Sequence, residues 1–248
     1  ICLASECTNG LNKVTRGRNV AIKLDIRKAF DTIDWSFIFK VLKGFGFNDT
    51  FINTVKTLFK SASLSILVNG TPRGFFKCTK GVRQGDPLSE ILFVIAEDYL
   101  SRLFTHLVNQ NKLKPINVAR NLRVSTHLLY ADDIILFLQG DQKNIQVLKQ
   151  ALTHYENVSG QAISWHKSHI FFGKNFSTQR KNTITNNLGI KEGFFPFTYL
   201  GVPIFWGRPK TTYFANIMDQ IINQLSNWKG KSLSMADRIC LVKSTIVS

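Results

Sequence analysis

Asp132 and Asp133 stand side by side between two apolar runs, Leu128 to Tyr130 and Ile134 to Leu138. Both runs are short and rich in branched and aromatic residues, which predicts two strands meeting in a tight hairpin at Ala131-Asp132-Asp133. Adjacent carboxylates repel unless a cation lies between them, and Mg²⁺ favours a few carboxylate oxygens completed by water and substrate phosphate. The plain alternative is a hairpin with an acidic turn, since Asp is common in turns. A third acid, Asp25, closes the strand candidate Val20 to Ile26, just ahead of a helix at Trp35 to Lys43. A carboxylate at the exit of a buried strand can face a cleft. Asp31 and Asp34, beside the helix start, fit the ordinary role of acids at a helix N-terminus.

The elements that must carry these residues follow from periodicity and punctuation. Asn48 or Asp49 caps a helix reaching about Ser61, with Phe51, Ile52, Val55, Leu58 and Phe59 as its apolar face. Leu64 to Val68 and Arg73 to Lys77 read as a hairpin around Asn69-Gly70-Thr71-Pro72. Lys80 to Ser89 contains two glycines and then Asp86-Pro87, an N-cap followed by a proline at the first helical position. A glycine loop opening a helix suits contact with phosphate or sugar. That helix runs through Leu92, Phe93, Ile95, Ala96, Leu100 and Leu103. Asp141 caps a further helix over Gln142 to Val158, which Ser159-Gly160 ends. Ile163 to Phe172 reads as a turn and a strand. Tyr199 to Ile204 reads as one short strand with an internal glycine. Thr211 to Trp228 and Ser234 to Val247 are helical by spacing, with Ser234 and Asp237 as a capping pair. Lys229, Lys231, Arg238 and Lys243 make this end basic, and a soft boundary falls near Trp206 to Lys210.

Composition narrows the chemistry. The 248 residues carry 32 Lys and Arg against 16 Asp and Glu, a net charge of +16 distributed along the chain. A spread excess of this size suits a folded surface that attracts a polyanion, most often nucleic acid. Cys2, Cys7, Cys78 and Cys240 lack metal-ligand spacing and read as reduced thiols of an intracellular protein. His166 and His169 have no accompanying pair that would suggest zinc. No apolar stretch approaches the ~20 residues that span a bilayer, and no membrane partner is expected. Both ends read as interrupted segments, so a longer parent is expected.

Taken in order, Leu24-Asp25-Ile26-Arg27-Lys28-Ala29-Phe30-Asp31, Gly81 to Ser89, Tyr130-Ala131-Asp132-Asp133, Lys167-Ser168 and Tyr199-Leu200-Gly201-Val202 resemble motifs A to E of reverse transcriptases. The nearest likeness is to non-LTR (LINE-type) retrotransposon enzymes, particularly plant ones, and it covers nearly the whole chain. The resemblance implies an α+β fold, the palm of a right-hand polymerase: an antiparallel sheet with helices packed on one face. Partial fingers belong with the palm in residues 1–205, and residues 206–248 begin a truncated helical thumb.

It also implies roles. Asp25, Asp132 and Asp133 would be the catalytic acids and, with the carbonyl of Ile26, the ligands of two Mg²⁺ ions, with Mn²⁺ able to substitute. Asp133 would be the weaker ligand. Ala29, Phe30, Gln84, Gly85 and Lys167 would meet the incoming nucleotide, with Phe30 placed against a ribose 2′-hydroxyl and Lys167 near the triphosphate. Tyr199, Leu200 and Gly201 would grip the primer. The implied activity is RNA-directed DNA polymerisation, with RNA template, DNA primer and dNTPs as partners. Endonuclease and the remaining polymerase segments would lie elsewhere in a parent polyprotein. Glu90 stands where the family more often has Pro. Two other readings stay open: a retroelement-derived nucleic-acid-binding fragment without catalysis, and a different two-metal enzyme such as a phosphodiesterase.

Overall fold

The computed structural model describes residues 1–13, 17–118, 125–174, 176–226, 234–237 and 239–240. In chain order the elements are α1 (Cys2–Gly10), β1 (Asn19–Asp25), α2 (Ala29–Thr32), α3 (Trp35–Gly44), α4 (Asp49–Ser61), β2 (Ser63–Val68), β3 (Thr71–Lys77), α5 (Pro87–Asn109), β4 (His127–Tyr130), β5 (Asp133–Gln139), α6 (Gln142–Ser159), β6 (His169–Phe172), α7 (Thr178–Leu188), β7 (Lys191–Glu192), β8 (Phe197–Tyr199), β9 (Val202–Ile204), a 3-10 turn (Thr211–Phe214) and α8 (Ala215–Ser226). They fall into two units, residues 10–193 and residues 1–9 with 194–248. Among the described residues no helix is long and apolar enough to cross a membrane.

Residues 10–193 are built on a five-stranded sheet ordered β4-β5-β1-β6-β7. Its neighbours are antiparallel except for the edge pair β6 and β7, which run parallel. The sheet expected from sequence is therefore antiparallel with one parallel margin, reached through α7. Alternate residues of a strand face opposite ways. Val20, Ile22 and Leu24 of β1, with Leu136 and Leu138 of β5 and Ile170 of β6, turn one face toward α3, α5 and α6. Phe37, Leu92, Phe93, Leu148 and Tyr155 close that layer and are almost fully buried. The helices thus occupy one face, as a palm requires, and the odd residues of β1 point the other way.

Side-chain caps fix several of the helix starts. Asn48 accepts from the Phe51 N–H at 2.8 Å, Asp141 from Asn144 at 3.0 Å, and Asp34 from Ser36 at 2.7 Å. Asp86 precedes Pro87 as expected, but its carboxylate accepts from the Ser89 hydroxyl at 2.7 Å and makes no capping bond to the backbone. In α4 only Ile52 and Val55 are buried; Phe51 and Leu58 are exposed. The β2–β3 loop is shorter than the sequence suggests, because Asn69 and Gly70, both at positive φ, close a two-residue turn.

In the other unit, the stretch from Tyr199 to Ile204 is a hairpin and not one strand. Tyr199 pairs with Val202 across Leu200 and Gly201, whose φ values of 49° and 76° make the reversal. Phe195 stacks on Trp206 at 4.1 Å beside it. The helical pattern from Thr211 starts as a 3-10 turn before α8. Ser234 and Asp237 cap reciprocally, the Asp237 N–H donating to the Ser234 hydroxyl at 3.3 Å and the Ser234 N–H to the Asp237 carboxylate at 3.2 Å. Trp228, Lys229, Lys231, Arg238, Lys243 and the remainder of that helix to Val247 lie outside the described residues.

Candidate active site

The three acids stand at one end of the two central strands. Asp25 is the register partner of Asp133 across β1 and β5. Asp25 directs its backbone away from that partner: its N–H donates to the Ser168 hydroxyl at 3.2 Å and its C=O accepts from the Ser164 N–H at 2.7 Å. The Asp25–Asp133 pair is therefore of the non-hydrogen-bonded kind, in which opposed Cα atoms stand only about 4.5 Å apart and the side chains share a face. Asp132 is the next residue, exposed in the two-residue turn with Ala131, whose φ of 50° is unusual for a residue with a Cβ. Ile26 bridges Ile163, with the bridge bonds made by the flanking residues, so its own C=O points toward the hairpin. Lys23, on the same face, forms an ion pair with Asp133 at 3.4 Å. Both are partly exposed, so the pair is a weak brace.

The turn after β1 is held by the glycine loop ahead of α5. The Val82 N–H donates to the Phe30 C=O at 2.7 Å, and the Gly81 N–H donates to the Ile33 C=O at 2.7 Å. The Trp35 indole donates to the Gly81 C=O at 2.6 Å. Phe30 stacks on Phe93 of α5, with centroids 4.3 Å apart and planes inclined by 16°. Ala29 is buried. Gln84 and Gly85 are exposed at the loop tip, Gly85 at φ 84°. Lys167 is exposed in the turn before β6, its N–H bonded to the Ser164 C=O at 2.9 Å. Asp25, Asp132, Asp133, Ile26, Ala29, Phe30, Gln84, Gly85 and Lys167 all belong to the unit of residues 10–193; Tyr199, Leu200 and Gly201 belong to the other.

Sequence reading missed Glu97. It lies on the buried stripe of α5 with Phe93 and Leu100, is 5% exposed, and its Oε1 is hydrogen-bonded to the Tyr155 hydroxyl oxygen at 2.6 Å. An acid inside an apolar helical stripe was the one signal that could have found it. Burial, with a smaller contribution from the charge of Asp132, pushes its carboxyl up to about 7, against the opposing effect of its hydrogen bonds. The native state then binds more protons than the unfolded chain between about 4.5 and 7, so this group's contribution to stability falls as pH rises through that window. Relative to Glu97→Gln, wild type should lose on the order of 3 kcal/mol across it. Urea unfolding of both proteins at the two pH limits measures the difference.

Among the described residues no three His, Cys, Asp or Glu side chains converge as a ready metal cage. Mg²⁺ does not require one, since it is commonly held by one or two carboxylates and completed by substrate phosphates. Opposed Asp25 and Asp133, with Asp132 adjacent and the Ile26 carbonyl turned toward them, are an all-oxygen donor set of the hard kind that suits this ion.

Residues 4–204 match the family described as reverse transcriptase (RNA-dependent DNA polymerase). The chain is 27% identical over 231 residues to the transposon TX1 uncharacterized 149 kDa protein of Xenopus laevis, covering 92% of this chain and 17% of that protein. It is 30% identical over 137 residues to the Pol polyprotein of the type-2 retrotransposable element R2DM of Drosophila melanogaster, covering 55% of this chain and 12% of that one. Among solved structures, telomerase from Candida tropicalis in complex with a fragment of telomeric RNA superposes with a TM-score of 0.55 at 14% identity, over 88% of this chain and 36% of that one. The chain thus spans under a fifth of the length of these transposon relatives. With the family matched over most of its length and its relatives carried by TX1 and R2 elements, the chain belongs to the reverse transcriptases, in the branch of the non-LTR retrotransposons.

Proposed function

We propose that this chain is the catalytic palm, with partial fingers in residues 1–205 and the start of a thumb in 206–248, of a polyprotein that copies RNA into DNA inside the cell. The observation that carries the reading is the facing of Asp25 and Asp133 on neighbouring strands with Asp132 beside them. Asp25 and Asp132 would be the principal ligands of two Mg²⁺ ions, Asp133 and the Ile26 carbonyl the supporting ones. Divalent ions held there would lower the pKa of a primer 3′-hydroxyl and stabilise the attacking and leaving oxygens of an in-line displacement at phosphorus.

The chain's own groups do the remaining work. The Phe30 ring, fixed on Phe93, excludes a 2′-hydroxyl and so favours dNTPs. Gln84 and Gly85 contact the incoming nucleotide and its templating base. Lys167 gives a proton to the departing pyrophosphate. Tyr199, Leu200 and Gly201 support the primer end. The net charge of +16 holds the template–primer duplex, with an affinity that falls as salt rises. The telomerase neighbour described with its RNA supports an RNA partner for this fold.

The test is extension of a DNA primer on an RNA template by the full-length parent with Mg²⁺ and dNTPs. The expected result is templated addition, with binding that weakens on a log–log plot against salt. Salt-sensitive RNA binding without any addition would leave a nucleic-acid-binding module, and release of mononucleotides would point to a phosphodiesterase.

A further inference from the structure

Tyr155 has one hydroxyl hydrogen and two acceptors at hydrogen-bond distance. One is Glu97 Oε1, at 2.6 Å; the other is Gln161 Oε1. All three side chains are buried, at 5% exposure or less. The Gln161 amide cannot be turned round to relieve the conflict. Its Nε2 donates to the Ala29 carbonyl at 3.1 Å, and a carbonyl only accepts, so Oε1 must face Tyr155. A phenol cannot donate to two acceptors with one hydrogen, and the Gln161 oxygen has none to give. The missing hydrogen belongs on Glu97.

Two further observations agree. Glu97 Oε2 is buried and makes no hydrogen bond. An unpartnered oxygen there is tolerable on a neutral acid and costly on a carboxylate. Tyr155 cannot resolve the conflict by ionising, because burial and the neighbouring Glu97 both drive its hydroxyl toward the neutral form.

The result is a chain with one direction. Glu97 O–H donates to Tyr155, Tyr155 O–H to the Gln161 carbonyl oxygen, and Gln161 N–H to the carbonyl of Ala29. Ser159 braces it, its hydroxyl accepting from the Gln161 backbone N–H at 3.2 Å and donating to the Tyr155 backbone C=O at 2.7 Å. The chain ends on the residue before Phe30, whose ring lies on Phe93, one helical turn before Glu97. Helix α5 therefore grips this turn twice, by the ring from Phe93 and by the backbone from Glu97.

We propose that Glu97 is a protonated positioning residue which, through Tyr155 and Gln161, sets the placement of Phe30 and with it the discrimination between deoxyribo- and ribonucleoside triphosphates. The sugar-excluding role of Phe30 is taken from the polymerase reading above. Tyr155→Phe removes the central link at nearly constant volume. Glu97→Gln keeps a donor toward Tyr155 and so mimics the acid.

In the parent polymerase at a pH of about 6, below the value at which Glu97 ionises, Tyr155→Phe should lower the dNTP-to-rNTP ratio of kcat/KM about tenfold, the effect of one buried hydrogen bond. Glu97→Gln should hold that ratio within about twofold of wild type. Gln161→Met removes the bond to Ala29 together with the acceptor of Tyr155 and should lower the ratio likewise, which keeps the test open if Tyr155→Phe lowers the melting temperature.

Two measurements are independent of polymerisation. At a pH of about 6, where surface acids are ionised, infrared difference spectra of this chain should show a buried carboxylic-acid band that Glu97→Gln removes. Hydrogen exchange of the 29–32 amides should quicken in Tyr155→Phe. An unchanged nucleotide ratio in Tyr155→Phe, a ratio in Glu97→Gln that collapses as well, or a missing acid band would each overturn the proposal. If the wild-type parent adds no nucleotide, the polymerase reading fails and the selectivity role with it. The infrared and exchange results then decide the protonated chain alone.

Discussion

Asp25→Asn and Asp132→Ala are each expected to remove nucleotide addition by the parent polymerase while the fold stays in place. Both carboxylates sit at the end of the central strand pair, one half-buried and one exposed, and neither side chain is a hydrogen-bonded prop of the core. The charge clamp they would supply is worth several kcal/mol of transition-state stabilisation, so the loss should be on the order of 10³-fold or more in kcat. Thermal unfolding of this chain should move little. Primer extension by the two variants beside wild type is the measurement. Wild-type rates in either would remove that acid from the site, and a large fall in melting temperature would make its role structural.

The second large effect concerns Gly81, which sits at φ 82° against the turn after β1. A Cβ there would lie 2.6 Å from the Asp31 carbonyl oxygen and 3.0 Å from its Cα, all of it backbone that cannot rotate aside. Gly81→Ala must therefore push the loop off the turn that presents Phe30. It would also loosen the bonds from Gly81 to Ile33 and from Trp35 to Gly81. The expected cost is about 3 kcal/mol or more, summing positive-φ strain and a displaced hydrogen-bonded loop. Gly85→Ala is the control. Its φ is 84° but a Cβ would meet nothing within 4 Å, so backbone strain alone, about 1 kcal/mol, should appear. Urea unfolding of the two variants separates the cases, and equal losses would mean that the contact with Asp31 relaxes at little cost.

Where local chemistry decided the structure, the sequence was readable. Asn48, Asp141 and the Ser234–Asp237 pair cap helices because a short oxygen side chain next to an apolar period has few better uses. The strands of Asp25 and Asp133 were readable as buried runs, but their adjacency is a tertiary fact that spacing does not encode. The resemblance to a family supplied it, and the register supports it. Tyr199 to Ile204 was misread because Leu200 at φ 49° does not look like a turn residue. Only Gly201 marked the reversal, and a glycine within a strand equally marks a bulge or the close approach of another backbone. Helices α1 and α7 escaped because their sequences, dotted with Thr, Asn and Gln, lack a strong apolar period. Glu97 escaped for the opposite reason: the apolar period around it was strong enough to hide one acid.

A single hydroxyl, that of Ser168, joins two backbones: it receives the N–H of Asp25 and donates to the C=O of Ser164 at 3.0 Å. The turn bearing Lys167 is thereby mechanically continuous with the strand tip bearing the acid. Losing that hydroxyl, as in Ser168→Ala, would therefore free the turn of Lys167 and the backbone of Asp25 at the same stroke.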